Sequence, residues 1–432
     1  MSTLRTTTVP RRFVGLLTAA IVVLVAAGCS PVGPDYVRPG VEAPSQYKEG
    51  AEWKTAQPRD DAIRSNWWEM YADPRLNALI AQVEISNQTL LAAEAQFRQA
   101  NALVLAARTA WLPTLTGGVS QTRTHPSATT GPITGAATST RSIYSSPLNL
   151  SWEIDLWGRI GRGIESGEAT AQASTADLEN ARLSVRATLA QNYFQLRTLD
   201  TQRLLLDRTI AAYVKSLELT SNRYRAGVVA KSDVAQAETQ LRATQAQALD
   251  LSVTRGQLEN AIAVLLGRPP SGFSIEPASL AGPPPAIPVG LPAELLERRP
   301  DIAAAERRVA AANAQIGVAA AAFYPTATLG ATYGAQSASA AHWFTLPSRF
   351  WSVGPALALT LFDSGRRQAV SEQAIAAYDA TVANYRATVL TGFREVEDNL
   401  VALRMRLHGR QYSFLGIARK ISANGNPRCL HC

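Results

Sequence analysis

The sequence is poor in cysteine, in histidine and in long hydrophobic runs. Only three of its 432 residues are cysteine and four are histidine, so no disulfide framework is predicted to hold the fold. Mean hydropathy is −0.04. Val14–Ala27 is the only long apolar run. No second stretch approaches the roughly 20 apolar residues that a membrane-spanning helix needs. These absences exclude a disulfide-stabilised scaffold and a polytopic helical membrane protein.

Signatures of catalysis and of cofactor binding are also missing. The four histidines form no HExxH or triad pattern, and no Gly-Lys-Ser/Thr phosphate loop occurs. Cys429, His431 and Cys432 offer three metal ligands, whereas a structural zinc site needs four at defined spacing. The net charge of +8 comes mostly from scattered arginines, a pattern that argues against nucleic-acid binding. The sequence therefore predicts no enzyme, no cofactor, no metal site and no nucleic-acid partner.

The N-terminus is typical of a secreted bacterial lipoprotein. Three arginines precede the apolar stretch Phe13–Val25, and small residues at 26–28 lead to Cys29. In this pattern the peptide before the cysteine is removed and the cysteine is acylated, which anchors the chain stably. Ser30 in place of Asp predicts sorting to the outer membrane. We expect a signal peptide at 1–28, lipid attachment at Cys29 and a lipid-anchored extended segment at 29–74; the alternative is an ordinary signal peptide with a chance cysteine.

The chain contains an internal repeat. Asn-Ala, Pro-Thr and Gly within 101–118 recur in the same order within 313–330, and Gly158-Arg159 recurs as Gly365-Arg366. A proline-rich stretch lies between the two copies. This organisation predicts a first repeat at 75–267, a linker at 268–292 and a second, incomplete repeat at 293–404.

Each repeat contains two segments with the alternation of β-strands. Apolar residues alternate with small or polar residues over Tyr144–Ile154, where Ser146 is the exception, and over Trp351–Leu361; the segments after Pro113 and Pro325 alternate more weakly. Small and polar residues on one face are typical of a membrane β-barrel, although half-buried strands of a soluble sheet share the same period. Four strands cannot close a barrel, and unpaired edges are costly in lipid. Three copies would supply twelve strands and two copies eight.

The helices are too long for a compact globular domain. From Leu178 to Leu217 the apolar residues recur at steps of 3, 4 or 7 residues, which fit the repeat of about 3.5 residues of a coiled-coil seam. We expect one helix from about Ile164 to Asn222, about 90 Å long, and a second from Lys231 to Leu266.

The turn between these helices, Tyr224–Asp233, makes them a helical hairpin. Gly227 can take the left-handed conformation that ends a helix, and Ser232 and Asp233 can cap the next one. A plain stalk with no functional tip is the alternative interpretation of the same residues.

Several motifs in a fixed order carry a family resemblance. They are the lipobox at Cys29, Pro34-Asp35-Tyr36, Trp67-Trp68, Asp73-Pro74-Arg75-Leu76, Asp155-Leu156-Trp157-Gly158-Arg159, Arg223-Tyr224-Arg225-Ala226-Gly227, Asp233-Val234, Arg298-Arg299-Pro300-Asp301-Ile302 and Phe362-Asp363-Ser364-Gly365-Arg366. On these residues the chain resembles the TolC-like outer-membrane factors, in the lipoprotein (NodT-type) branch that serves tripartite efflux pumps.

The resemblance implies an α+β membrane protein that acts as a homotrimer. Four strands per protomer would join one 12-stranded outer-membrane β-barrel, and the helices would form a coiled-coil periplasmic tube. The implied function is a passive export duct for small molecules such as drugs. The implied partners are a periplasmic adaptor (membrane fusion) protein, an inner-membrane pump of the RND type and, through acylated Cys29, outer-membrane lipid.

The resemblance also assigns roles to two groups of residues. The turn with Arg223, Tyr224, Gly227 and Asp233 would contact the adaptor. Four residues would form the strand-to-helix turns: Gly158, Arg159, Gly365 and Arg366. Two other functions fit part of the pattern, namely the outer-membrane component of a protein-secretion system and a pore-less lipid-anchored coiled-coil protein.

The end of the chain departs from the family pattern. About 70 residues separate Arg197 from the end of the first repeat at Gly267, whereas 28 follow the corresponding Arg404. Residues 405–432 lack the apolar seam and any counterpart of Arg-Tyr-x-x-Gly. We expect a divergent tail there in place of the second hairpin, from a truncated or frame-shifted product with impaired function.

Overall fold

The computed structural model describes residues 31–41, 66–127, 139–280 and 299–424. The expected signal peptide and Cys29 lie outside these residues. The helices are α1 Pro74–Ser86, α2 Gln88–Arg108, α3 Arg159–Arg225, α4 Lys231–Leu265, α5 Pro300–Ala321 and α6 Arg366–Asn424. The strands are β1 Thr114–Gly117, β2 Ser120–Thr124, β3 Arg141–Ile154, β4 Thr326–Ser337 and β5 Arg349–Ala358. The order helix, strands, long helix occurs twice, with three strands in the first repeat and two in the second, which confirms the internal repeat.

The chain divides into two compact units. One unit contains the described residues before position 42 together with Gln99–Ala173 and Ala304–Thr388. It holds all five strands and the helix ends that adjoin them. The other unit contains the described residues within Ala43–Arg98, Ser174–Ala303 and Val389–Cys432.

The helical unit has a hydrophobic core built on α1. Leu76, Ile80 and Val83 lie on one face of α1 at helical spacing and are almost completely buried. They belong to a cluster with side chains of α3 and α4 that includes Leu189, Tyr193, Leu196, Ile262 and, directly after α4, Leu266. Burial of each leucine or isoleucine contributes about 1.5–3 kcal/mol. This core, rather than helix propensity, stabilises the part of the α3–α4 hairpin that is remote from its turn.

Residues around Asp73 begin α1 and attach it to α3. The Asp73 carboxylate accepts hydrogen bonds from the backbone N–H groups of Arg75 at 2.9 Å and Leu76 at 3.1 Å, and Pro74 occupies the first turn, where its missing N–H costs nothing. The Tyr193 hydroxyl donates to the other oxygen of Asp73 at 2.7 Å. The helix cap is therefore also a tertiary contact.

The strands form one antiparallel sheet. Its order is β1-β3-β4-β5, and β2 also pairs with β3. The pairing of β3 with β4 joins the two repeats and runs without interruption from Tyr144 opposite Ser337 to Ile154 opposite Ala327. All four segments predicted as strands contribute to this sheet, and the two repeats share it.

The first predicted strand is divided into β1 and β2. Gly117 lies opposite Leu148 and Ser120 opposite Ser145, so the register does not change across the gap. Between them the Gly118 N–H donates to the Pro147 carbonyl at 3.1 Å. Pro147 has no N–H that could donate to the Gly118 carbonyl in exchange. The interruption is therefore the effect of one proline on an otherwise continuous strand.

The predicted end of the last strand, Leu361, is wrong. Strand β5 ends at Ala358, which lies opposite Thr326, the first residue of β4. Because Pro325 precedes Thr326, the partner strand cannot supply further N–H donors. Leu359 and Leu361 follow the strand and are exposed.

The predicted start of the long helix is also wrong. Helix α3 begins at Arg159 and not near Ile164, and it spans 67 residues, which corresponds to about 100 Å. The expected end near Asn222 and the following helix from Lys231 match the structure to within three residues. Along the predicted seam, Val185, Leu189 and Leu196 are buried, whereas the seam residues from Leu206 to Leu217 are half-buried.

Helix α6 extends into the segment expected to diverge. Its backbone is helical as far as Asn424, so most of the predicted tail 405–432 continues the preceding helix. Among the described residues, no helix is both long and apolar enough to cross a membrane.

Candidate functional site

The turn between α3 and α4 closes the helical hairpin with a defined hydrogen-bond pattern. The Gly227 N–H donates to the Tyr224 carbonyl at 2.9 Å and the Val228 N–H donates to the Arg223 carbonyl at 2.9 Å. This pair of bonds is a Schellman motif, in which the residue after the helix adopts a left-handed conformation. Gly227 has φ of 75°, and a Cβ added there would meet nothing within 4 Å. Glycine is used here for its backbone conformation and not for lack of space.

The start of α4 differs from the predicted cap. Ala230 is the N-cap residue, Ser232 lies inside the helix, and the carboxylate of Asp233 accepts from the Ala230 N–H at 3.1 Å. Asp233 therefore acts from the third helical position, where a carboxylate also interacts favourably with the helix N-terminus. Ser232 was expected to cap because serine is a common N-cap residue, but the chain enters the helix two residues earlier.

The surface of this turn combines positive charge with exposed apolar groups. Arg223, Arg225 and Lys231 carry positive charges, against the single carboxylate of Asp233 within the turn. Tyr224 is 42 % exposed and Val228 is 63 % exposed. Exposed apolar side chains within a charged rim are typical of a protein-contact surface.

The strand-to-helix turn of the first repeat lies between β3 and α3. Gly158 has φ of 76°, and α3 begins at the next residue, Arg159. The Arg159 guanidinium pairs with both oxygens of Glu153, at 2.9 and 2.6 Å, and these hydrogen bonds raise the pKa of the arginine above its ordinary value despite partial burial. The Asp155 carboxylate accepts from the Gly161 N–H at 2.8 Å and caps the helix.

The strand-to-helix turn of the second repeat uses the same residue types. Gly365 has φ of 84°, and Ser364 before it also has positive φ, 54°. Helix α6 begins at Arg366. The Asp363 carboxylate accepts from the Arg367 side chain at 2.7 Å and from the backbone N–H groups of Arg367 and Gly365 at 3.2 Å. These bonds, led by the Arg367 side chain, lower the pKa of Asp363.

An extended segment near the N-terminus packs on the sheet-bearing unit. We call Pro31–Arg38 the strap. Its Val32 N–H donates to the Trp157 carbonyl at 3.0 Å, and a Cβ added to Gly158 would lie 2.7 Å from the Cβ of Pro31. The strap therefore covers the strand-to-helix turn of the first repeat.

Sequence reasoning assigned the strap no role, although Pro34-Asp35-Tyr36 lies within it. Arg162, which holds the strap, was not identified at all. The Arg162 side chain is 8 % exposed and pairs with Asp35 at 2.9 Å and Glu165 at 2.8 Å. Burial opposes its charge, but hydrogen bonds to Asp35 and Glu165 outweigh that cost and raise the pKa of Arg162. The sequence Gly33-Pro34-Asp35-Tyr36, shortly after the lipobox, is a feature that could have indicated a role for this segment.

The faces of the sheet differ in polarity. Residues paired across the strands share one face, so Leu150, Ala331 and Val353 form an apolar row, and Leu148, Tyr333 and Trp351 form the next. The opposite face carries Thr116, Asn149, Thr332 and Ser352 in one row. Trp351 and Val353 expose more than half of their side chains. The sheet thus presents an uncovered apolar face and a polar face of small residues.

The described residues hold no group of three or more His, Cys, Asp or Glu side chains that could bind a metal ion. Cys29, the expected lipid-attachment residue, lies outside the part of the chain that the structure describes.

Comparison with known proteins identifies a family model that matches most of the chain. A model described as outer membrane efflux protein matches residues 79–268 and 291–407. These two blocks correspond closely to the two repeats. The second block ends within α6, close to the position where the sequence departs from the repeat.

Individual proteins and structures are similar over the same region. The chain is 33 % identical over 386 residues to the toluene efflux pump outer membrane protein TtgF of Pseudomonas putida, covering 87 % of this chain and 79 % of that protein. It is 32 % identical over 400 residues to nodulation protein T of Rhizobium leguminosarum bv. viciae, covering 91 % and 79 %. The structure of the outer-membrane channel OprN matches with a TM-score of 0.80 at 32 % identity, covering 91 % and 86 %.

Proposed function

The chain belongs to the outer membrane efflux protein family, and on this premise we propose that it is the passive outer-membrane export duct of a tripartite pump. Similarity to a toluene efflux pump protein and to an antibiotic efflux pump protein supports small organic molecules, such as solvents and drugs, as the substrate class. The duct supplies a path and no reaction, so the energy for transport comes from the inner-membrane pump.

The observation that carries this proposal is the two-faced sheet with open edges. The apolar face matches the lipid side of a membrane barrel and the polar face its water-filled interior. Within the described residues β5 pairs only with β4, and β1 and β2 pair only with β3. Open strand edges are not tolerated in a bilayer. The sheet therefore functions as part of a barrel that several copies close.

We propose a homotrimer with a 12-stranded barrel. Each copy contributes four strands to the width of the sheet, because β1 and β2 lie in line beside β3. This number and the family resemblance support three copies. The helical hairpin supports the same assembly, because Leu205, Leu219, Leu249 and Val253 are exposed along α3 and α4. Leucines at such positions suit helix packing between neighbouring copies in a periplasmic tube.

We propose that the turn at Arg223–Asp233 contacts a periplasmic adaptor protein. Its basic residues and its exposed Tyr224 and Val228 provide a charged rim around an apolar centre, the composition that interfaces use. The strand-to-helix turns at Gly158, Arg159, Gly365 and Arg366 would form the boundary between barrel and tube. Acylation at Cys29 would anchor each copy to the outer membrane.

Cysteine cross-linking of the two sheet edges tests the assembly. The edges of one copy are three strand spacings apart, about 14 Å, too far for a disulfide, which needs Cα atoms within about 7 Å. Ser352→Cys on β5 is combined in turn with Thr114→Cys, Thr116→Cys or Ser120→Cys, after Cys429 and Cys432 are replaced by serine. All four positions lie on the polar face, and the three combinations sample three registers of pairing between copies.

The expected product on a non-reducing gel is a covalent trimer for at least one register. A ladder that stops at the dimer would replace the trimer by a two-copy barrel. Monomer in every register would contradict closure by these edges. The single Ser352→Cys variant is the control, because it can join at most two chains.

Charge reversal tests the adaptor contact. Arg223→Asp is compared with Arg242→Asp, which changes an exposed arginine on α4 whose ion-pair partner is Glu238, on the same helix. In the native host with the gene deleted, we expect the turn variant to give toluene tolerance near that of the deletion strain, because charge at an interface rim governs association. Equal tolerance for both variants, at equal trimer levels, would contradict the contact.

A further inference from the structure

The strap contacts helices of both repeats. On the first repeat it reaches α3 and the turn before it, through Val32 to the Trp157 carbonyl and through Asp35 to Arg162. We propose that the strap is a lock between the two repeats, positioned by Arg162, that fixes the spacing of the helix ends next to the sheet. The lock acts within one copy and does not depend on pore formation.

Three strap contacts reach the second repeat. The Asn313 amide on α5 donates to the Pro34 carbonyl at 2.9 Å. The Tyr36 hydroxyl donates to Glu306 on α5 at 2.6 Å, and burial followed by this hydrogen bond raises the pKa of the tyrosine. Arg38 donates to the hydroxyl of Tyr385 on α6 at 3.2 Å. The contacts are polar, specific and spread over both helices of the repeat.

The closest approach of the strap to α5 is a glycine-to-glycine crossing. A Cβ added to Gly33 would lie 2.5 Å from the Cα of Gly317. A Cβ added to Gly317 would lie 2.9 Å from both the Val32 carbonyl oxygen and the Cγ of Arg162. Glycine inside a helix is unfavourable, so Gly317 in α5 has a packing reason. Only two glycines let the backbones meet with the Arg162 stem beside them.

The positions of these contacts explain what the lock restrains. Arg162 lies in the first turn of α3, just after β3, and Gly317 lies in the last two turns of α5, just before β4. Strands β3 and β4 are neighbours in the sheet. The strap therefore ties two helix ends that continue from paired strands, at the level where strands become helices.

Two helical glycines allow a matched test. Gly317→Ala places a methyl group against the strap, whereas Gly163→Ala on α3 places one where nothing lies within 4 Å. Alanine raises helix propensity at both sites, so their difference reports the strap contact. The measurement is hydrogen exchange by mass spectrometry on the full-length protein in detergent.

For Gly317→Ala we expect amide exchange of Val32 at least about tenfold faster, the effect of losing roughly 1.4 kcal/mol of protection. The lock further predicts faster exchange in the first turns of α3 and the last turns of α5, while Gly163→Ala changes neither. Faster exchange at Val32 alone would overturn the lock and leave the strap as a surface covering.

Tyr36→Phe provides the second variant if Gly317→Ala does not fold. It removes only the hydrogen bond to Glu306 and adds no atoms. We expect the same pattern with a smaller amplitude, in α5 as well as in the strap. No change in α5 would overturn the proposal. Arg108→Gln is the control, because its exposed ion pair with Glu168 joins α2 and α3 within one repeat.

Discussion

The two strand-to-helix turns of the molecule have similar sequences and different surroundings. Gly158 and Gly365 both have positive φ and precede the first residue of a long helix. Gly158 lies under Pro31 of the strap, whereas a Cβ on Gly365 would meet nothing within 4 Å. Local sequence sets the backbone conformation in both repeats, but tertiary packing decides how much a substitution costs.

The residue before each glycine shows the same contrast. Trp157 donates from its indole N–H to the Pro325 carbonyl at 2.7 Å and stacks on Tyr324 with ring centroids 4.7 Å apart. Ser364 makes no comparable ring contact and has a strained positive φ of 54°. The first turn is packed against neighbouring side chains, whereas the second only changes the backbone from strand to helix.

The largest predicted difference is between alanine substitutions of the two glycines. Gly365→Ala incurs the backbone cost of positive φ, about 1–2 kcal/mol. Gly158→Ala incurs the same cost and also pushes Pro31 away, for a total of about 3 kcal/mol or more. Thermal unfolding of the purified protein, followed by circular dichroism, should show a much larger loss of Tm for Gly158→Ala. Equal losses would mean that the strap contact is not tight.

A smaller difference is expected at the preceding position. Trp157→Phe removes the donor to the Pro325 carbonyl and costs about 1–3 kcal/mol. Ser364→Ala, its counterpart, should change stability by no more than about 0.5 kcal/mol. The same unfolding measurement checks both. A loss for Ser364→Ala as large as that for Trp157→Phe would show that the second turn is packed in the assembled protein.

The smallest predicted effect is a pH dependence at the second turn. The pKa of Asp363 is lowered in the folded protein, chiefly by Arg367, so its carboxylate stabilises the folded state above its ordinary pKa. This contribution is lost as the pH falls through the folded value. We expect Asp363→Asn to be less stable than the wild type near neutral pH, and the difference to shrink as the pH falls below the ordinary pKa of an aspartate and through the lower, folded value. A Tm difference that is constant across this range would contradict the assignment.

Features set by local pattern could be predicted from the sequence. The strand around Tyr144–Ile154 and the hairpin broken at Gly227 were both found, because alternation, seam spacing and a glycine after a helix are local signals. The end of β5 at Ala358 was missed because it depends on where Pro325 lets the partner strand begin. The cap at Ala230 was missed because serine preference is a weak guide within one turn.

The strap shows what sequence reasoning could not reach. Arg38 and Tyr385 are 347 residues apart in the chain, and Gly317 is one of several small residues in an alanine-rich helix. Nothing local marks Gly317 as the point where another backbone crosses. Only the fold brings Gly33 and Arg162 to it.

Conductance through a planar lipid bilayer tests the central claim that this chain forms an outer-membrane duct. The purified full-length protein is added to one side of the bilayer. Closed barrels made of several copies should give discrete, ion-permeable conductance steps for the wild type. Protein that inserts into the bilayer and yields no steps would contradict the claim.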